Sequence, residues 1–171
     1  MTLSKLLKRL ALARLKPHVV TSPNYSLLQS AYRVAHLTMT ALVKTVDDIL
    51  SIVDSSLAVA LVGLDIAAAF DTVSHRKLLP RLAMISVLRE LRSYLSKRTF
   101  FMHVGMSSLA VAQISSGVPQ GSVLGPILLT AYVSPIVRLI ELHGVSYHIY
   151  ADDTQLYTTL TANPDACIDR L

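Results

Sequence analysis

Val145-Ser-Tyr-His-Ile-Tyr150-Ala151-Asp152-Asp153-Thr-Gln-Leu-Tyr-Thr-Thr-Leu160 sets two β-rich runs on either side of a short acidic interruption. The runs at 145–150 and 154–160 read as strands and Ala151-Asp152-Asp153 as the turn between them, so the segment is expected to be a hairpin with two acids at its tip. Adjacent carboxylates at such a tip repel each other. A divalent cation removes that cost, and oxygen ligands favour Mg2+ or Mn2+. Paired acids are common in exposed segments. Asp47-Asp48, in an expected helix, is a pair to which no chemistry is assigned.

Working outward, Ala58-Val-Ala-Leu-Val-Gly-Leu-Asp65 is a short apolar run that reads as a buried strand ending on a carboxylate. The residues that follow, Ile66-Ala-Ala-Ala69-Phe70-Asp71, are mostly small and apolar, so a ligand could lie close to the backbone. Between this run and the hairpin stands Ser115-Ser-Gly117-Val-Pro119-Gln120-Gly121-Ser122-Val-Leu-Gly125-Pro126. Its glycines and prolines predict a rigid turn, and a helix beginning near Ser122 would present free N–H groups to phosphate. No Lys-Ser or Lys-Thr follows the glycines, which excludes a P-loop. If the hairpin tip lies beside the end of the Asp65 strand, two or three carboxylates converge. Two-metal phosphoryl transfer needs such a group, with ions about 3.5–4 Å apart.

The rest of the chain supplies helices. Leu3, Leu6, Leu7, Leu10 and Leu15 recur at near-helical spacing among lysines and arginines, predicting an amphipathic helix over 3–16 ended by Pro17, with loop at 19–25. Helices are also expected over 36–54, from Ser74 as N-cap with Pro80 badly placed inside, and over 122–142. Residues 99–104 and 109–114 read as two strands around Gly105-Met-Ser-Ser. Strands interleaved with helices make an α+β fold, a small antiparallel sheet packed on helices.

Composition narrows the classes. Hydrophobic residues are 52% and charged residues 16% of the 171, with a mean hydropathy of +0.50. No membrane span is expected: Asp65 interrupts the most apolar stretch, at about 2.5–3.5 kcal/mol for a central Asp, and Pro126 and Pro135 break the next. One cysteine, Cys167, excludes a disulfide framework or a thiolate zinc site and points to a reducing compartment. The six histidines lack metal-ligand spacing. The net charge is +5, and no acid precedes Asp47. The basic residues before it, and a second basic region from Arg76 to Arg98, suit either a polyanion or a solvated helix face.

These motifs carry a family resemblance. Leu64-Asp65 through Phe70-Asp71-Thr-Val resembles polymerase motif A of non-long-terminal-repeat retrotransposon reverse transcriptases, Gly117 through Pro126 their motif B, and Tyr150-Ala-Asp-Asp153 their motif C. Gln29-Ser-Ala-Tyr-Arg33 through Thr40-Ala-Leu is similar to the fingers motif of Jockey-like elements. The resemblance implies a right-hand polymerase palm from about 58 to 171 with partial fingers over about 1–57, in one domain fragment without a thumb. It implies an RNA-directed DNA polymerase. Asp65, Asp152 and Asp153 would be catalytic residues and ligands of Mg2+, with Mn2+ as the substitute. Ile66, Ala69, Phe70, Gln120 and Gly121 would border the dNTP, with Phe70 excluding a ribose 2′-hydroxyl. Arg33, Tyr150 and Ala151 would face primer and template. The partners would be an RNA template, a DNA primer and dNTPs, the setting the nucleus or cytoplasm, and the parent element would carry a fused endonuclease.

The chain departs from the family pattern at several places. The family's glycine after the fingers arginine is replaced near Ala35, so that loop is expected to sit differently. Pro80 and Pro135 stand where the family has good helix formers, and the chain stops before motif D and the thumb. The alternative reading is therefore a non-catalytic, nucleic-acid-binding remnant of a degenerate retroelement.

Overall fold

The computed structural model describes residues 3–22, 25–55, 58–83, 88–96, 98–101, 103–104, 107–108 and 110–160. Cys167 and the expected turn at Gly105 and Met106 lie outside them. The fold is a mixture of helices and small antiparallel sheets. The chain divides into two compact units, one of Met1–Ser22 with Ala68–Tyr132, the other of Pro23–Ala67 with Val133–Leu171. The chain passes between the units after Ser22, Ala67 and Tyr132.

The second unit is built on a three-stranded sheet. Strand β1 (Ala58–Leu64) pairs antiparallel with β7 (Asp153–Leu160), which pairs antiparallel with β6 (Ser146–Tyr150), giving the order β1-β7-β6. The expected hairpin is present, but its two acids separate. Tyr150 pairs with Asp153, so Asp153 opens the strand and only Ala151 and Asp152 form the turn. Ala151 alone of the two has a positive φ, 61°.

Strand β1 is an edge rather than the buried strand its apolar run suggests. Leu61 is 54% and Leu64 40% exposed, because among the described residues β1 has a partner on one side only. An apolar run reports hydrophobicity, not the number of neighbours.

Alternation divides the sheet into two faces. Tyr147, Ile149, Leu156 and Val62 lie on one face and pack against Val137 and Ile140 of helix α7 (Ile136–Leu142). That helix ends at Gly144, whose φ of 65° suits glycine, and the Val145 amide bonds back to the Ile140 carbonyl. Toward the other face stands helix α2 (Thr38–Asp54), fastened by Asp48. The Asp48 carboxylate accepts from Lys44 and from the Tyr157 hydroxyl at 2.5 Å each. Burial alone would raise the Asp48 pKa, but these two donors lower it below the usual carboxylate value. Asp48 thus anchors α2 to β7.

In the first unit helix α1 (Leu3–Val20) runs through Pro17 instead of ending there. Leu15 and Val19, on either side of the proline, are its buried residues, and their packing outweighs the one hydrogen bond that proline forfeits. Leu3, Leu6, Leu7 and Leu10 are exposed. A short helix α3 (Ala69–Thr72) precedes α4 (His75–Ala83), which also contains its proline, Pro80, and α5 (Leu88–Leu95). The core includes Val73, Leu78, Leu82, Leu91, Leu95, Val118, Leu128 and Leu129. The expected strands at 99–104 and 109–114 are four pieces: β2 (Thr99–Phe100) with β5 (Ala112–Gln113), and β3 (His103–Val104) with β4 (Ser107–Ser108). The two pairs differ in register by one residue.

The helix expected over 122–142 begins later and breaks. Helix α6 (Gly125–Val133) is separated from α7 by Ser134 and Pro135, since Pro135 has no amide to carry the ladder onward. Gly125–Leu142 is an 18-residue window of mean hydropathy 1.4, long and apolar enough by length and composition alone to cross a membrane, but half of it is buried within the protein, as a core helix would be.

Ala35 has a φ of 62°. An alanine there carries about 1–2 kcal/mol of strain that glycine avoids, part of which glycine returns as lost chain entropy. Ala35→Gly is expected to stabilise the chain by about 0.5–1 kcal/mol, read as a higher denaturant midpoint.

Candidate active site

The sheet register places the acids. Leu64 pairs with Thr154, so one residue further the antiparallel register sets Asp65 opposite Asp153, which is itself paired with Tyr150. Residues directly opposite in such a ladder share a face. Asp65, Asp153 and Tyr150 accordingly line one cavity of about 410 Å3, with Gly63, Gln155 and His148 behind them and Thr38, Ala41 and Leu42 of α2 across it. Asp65 and Asp153 are exposed, and Asp152 is half-buried in the turn. Asp152 is not among the residues lining the cavity. Among the described residues, no group of three or more His, Cys, Asp or Glu is arranged to hold a metal ion. The donor set is two facing carboxylates with a third beside them in the chain, all hard oxygen ligands of the kind Mg2+ takes.

The turn is held from outside. Residues 28–30 run beside β6: the Ile149 amide donates to the Leu28 carbonyl at 3.0 Å and the Ser30 amide to the Ile149 carbonyl at 2.9 Å. One step on, the Gln29 side chain takes over from the backbone. Its Nε2 donates to the Ala151 carbonyl, and its Oε1 accepts from the Ala151 amide, both at 3.0 Å. Nothing in the sequence assigns Gln29 this role. A lone polar residue after two leucines carries no signal of a contact 122 residues away.

Arg33 donates to the carbonyls of Leu27, at 2.6 Å, and Gln29, at 3.5 Å, and so ties its own loop. Beside it Tyr32, with a φ of 62°, stands close enough to Asp152 to feel its charge. Its phenol pKa is raised by burial first, then by Asp152 and Tyr150.

His148 is a buried ring in the cavity wall, its Nε2 2.9 Å from Ser30 Oγ and its Nδ1 without a partner among the described residues. Burial lowers its pKa, Lys44 and His36 add to the effect, and Asp48 opposes it. The folded protein therefore holds His148 neutral. This stabilisation is present above the unfolded value of about 6.5 and is lost as pH falls, because the unfolded chain takes up a proton that the folded chain resists. The denaturant midpoint should decline as pH drops from about 6.5 towards 5, with a slope bounded by one proton, about 1.4 kcal/mol per pH unit. His148→Gln should flatten that part of the profile.

Ile66 belongs to the second unit and is half-buried. Ala69, Phe70, Gln120 and Gly121 belong to the first unit. There, segments 70–75 and 115–118 zip together. The Val118 amide donates to the Phe70 carbonyl at 2.7 Å and the Gly117 amide to the Val73 carbonyl at 2.8 Å. His75 Nε2 lies 2.7 Å from the Gly117 carbonyl oxygen. Gly117 has a φ of 85°, and a Cβ on it would come within 3.2 Å of the Asp71 carbonyl. Gln120 and Gly121 are the exposed central pair of a tight turn closed by the Ser122 amide on the Pro119 carbonyl, with positive φ at Gly121, a type II arrangement. Helix α6 starts at Gly125 rather than Ser122, and Ser122 Oγ accepts from the Gly125 amide.

Part of the basic charge is already engaged. Arg98 lies over the Tyr94 ring at 4.1 Å and Lys8 over the same ring at 5.9 Å, while Arg81 stacks on Tyr132 and donates to its carbonyl.

Residues 1–170 match the family described as "Reverse transcriptase (RNA-dependent DNA polymerase)". The chain is 32% identical over 165 residues to the RNA-directed DNA polymerase from mobile element jockey of Drosophila melanogaster, covering 92% of this chain and 18% of that protein. It is 33% identical over 130 residues to the probable RNA-directed DNA polymerase from transposon X-element of the same fly, covering 73% of this chain and 14% of that protein. It is 28% identical over 173 residues to the jockey polymerase of Drosophila funebris, covering 96% and 19%. The chain thus spans less than a fifth of the length of these relatives.

Proposed function

Because this chain belongs to the reverse transcriptase (RNA-dependent DNA polymerase) family, we propose that it is the palm, with part of the fingers, of an RNA-directed DNA polymerase of the Jockey-like retrotransposon kind. The observation that carries the proposal is the facing of Asp65 and Asp153 across the sheet end in one cavity, with Asp152 in the adjoining turn. Asp65 and Asp153 would hold a divalent cation, and Asp152 would complete the acidic cluster. When bound, Mg2+ lowers the pKa of the primer 3′-hydroxyl and neutralises charge on the triphosphate and departing pyrophosphate. Tyr150 and Ala151 border the primer end, and Arg33 keeps its loop in place beside the template.

In the first unit the backbone around Ala69 and the ring of Phe70 flank the incoming dNTP. Phe70 excludes the ribose 2′-hydroxyl. Its carbonyl bond to Val118 favours that role, because a residue that discriminates by contact needs a fixed backbone. Gln120 and Gly121, exposed at a rigid turn, lie beside nucleotide and template.

The proposal is tested by extending a DNA primer on an RNA template with this chain and Mg2+. Incorporation of dNTPs in preference to NTPs is the expected result. A second reading, nucleic-acid binding without catalysis, rests on the acid-free basic stretch before Asp47 and on the lack of a three-ligand group among the described residues. It predicts salt-sensitive RNA binding that Asp152→Asn leaves unchanged, with no extension.

A further inference from the structure

We infer that Gln29 is a positioning residue for the acidic turn: its side-chain amide acts as a surrogate strand that sets the direction in which Asp152 and Asp153 leave β6. The inference rests on the cation-binding reading of the site proposed above.

Ala151 opens the turn between β6 and β7. Its φ of 61° is left-handed, unusual for a residue with a Cβ, and it sits in a two-residue turn where glycine is the usual occupant. Such a conformation persists only where its surroundings over-determine it. Strand β7 pairs with β6 up to Tyr150 and Asp153 and offers Ala151 nothing beyond them. The 28–30 segment pairs with Ile149 in parallel and then also stops. At that point the Gln29 carboxamide presents a donor and an acceptor side by side, as a peptide would, and engages both the carbonyl and the amide of Ala151 at 3.0 Å.

Gln29 is itself fixed. It is 4% exposed, and its Oε1 also accepts from the Ala31 amide at 3.1 Å. The Ala151 carbonyl belongs to the peptide that leads into Asp152. Holding that carbonyl therefore holds the peptide plane from which the Asp152 side chain projects, and one residue later the start of β7 at Asp153. Groups that orient metal-binding carboxylates in this way change metal affinity without touching the metal.

The test uses the 171-residue chain and Mn2+, whose binding is followed by water-proton relaxation. Gln29→Met keeps the length and burial of the side chain but removes both bonds to Ala151. It is expected to weaken Mn2+ binding roughly tenfold. Gln29→Glu, which keeps the acceptor and loses the donor, should weaken it too, and its deficit should shrink as pH is lowered and the carboxyl regains a proton to donate. A substitution that merely loosened the fold would lower the unfolding midpoint without this pH-dependent recovery. Mn2+ affinity in Gln29→Met equal to that of the unsubstituted chain, with the protein folded, overturns the positioning role. If the unsubstituted chain binds no Mn2+, the cation-site reading fails first and the role falls with it. Binding that is lost in Asp153→Asn but unchanged in Gln29→Met upholds the cation site and overturns Gln29 alone.

Discussion

Asp153→Asn is expected to reduce RNA-templated primer extension a thousandfold or more, about 4 kcal/mol of transition-state stabilisation. The substitution preserves the size of the side chain and the backbone pairing of residue 153 with Tyr150. It removes an anionic ligand from the cavity that Asp65 and Asp153 share. Among the described residues neither carboxylate forms an ion pair, and both are exposed. Without a metal they repel one another, so Asp153→Asn should leave the unfolding midpoint unchanged or slightly raised while activity is lost. That opposition between stability and activity separates a cation site from a structural one. Asp65→Asn should behave alike. A variant that extends primers at the original rate would remove Asp153 from the chemistry.

The second large effect concerns stability. Ile149 is 1% exposed at the centre of the core between the sheet and α7. Its amide and carbonyl both bond to residues 28–30, while the strand's pairing with β7 holds its other side, so the surroundings have little freedom to close over a cavity. Ile149→Ala should cost about 2–5 kcal/mol and Ile149→Val about 0.5–1.5 kcal/mol, measured by denaturant unfolding. Against a typical total of about 5–15 kcal/mol, the alanine variant removes a large part of the stability. Because the same strand leads into Ala151, it should lose divalent-cation affinity as well. Leu61→Ala, on the edge strand with its side chain half in solvent, should change stability by no more than about 0.5 kcal/mol.

How far the sequence spoke depended on the range of the interaction. The hairpin at 145–160 was legible because strand preference and a polar turn are local properties, and so was α2, whose expected span differs from the observed one by two residues at its start. Prolines act in both directions here. Pro17 was expected to end α1, yet Leu15 and Val19 bury enough to carry the helix past it; Pro135 was read through, yet it breaks the segment after Val133. The place of β1 at the sheet edge was invisible, since an apolar run looks the same with one neighbour or two. The replacement of glycine near Ala35 led to the expectation of an altered loop, and the residue adopts the left-handed conformation that glycine would take without strain.

The candidate site divides in the same way. The acids and the turn at 117–126 announced themselves by residue type. The hold of Gln29 on Ala151 and the burial of His148 against Ser30 did not, because each joins positions more than a hundred residues apart. Basic charge misled in part. Arg81, Arg98 and Lys8 stack on tyrosine rings, and Arg33 binds carbonyls of its own loop, so the count of cations overstates what is left for a polyanion.

The account stands on one divalent cation held jointly by Asp65 and Asp153. The most direct measurement is anomalous X-ray scattering from crystals of this chain soaked in Mn2+. A peak about 2 Å from a carboxylate oxygen of each residue, absent in crystals of Asp153→Asn, is the predicted result. The two carboxylates found turned apart at saturating Mn2+, with no peak between them, would contradict it.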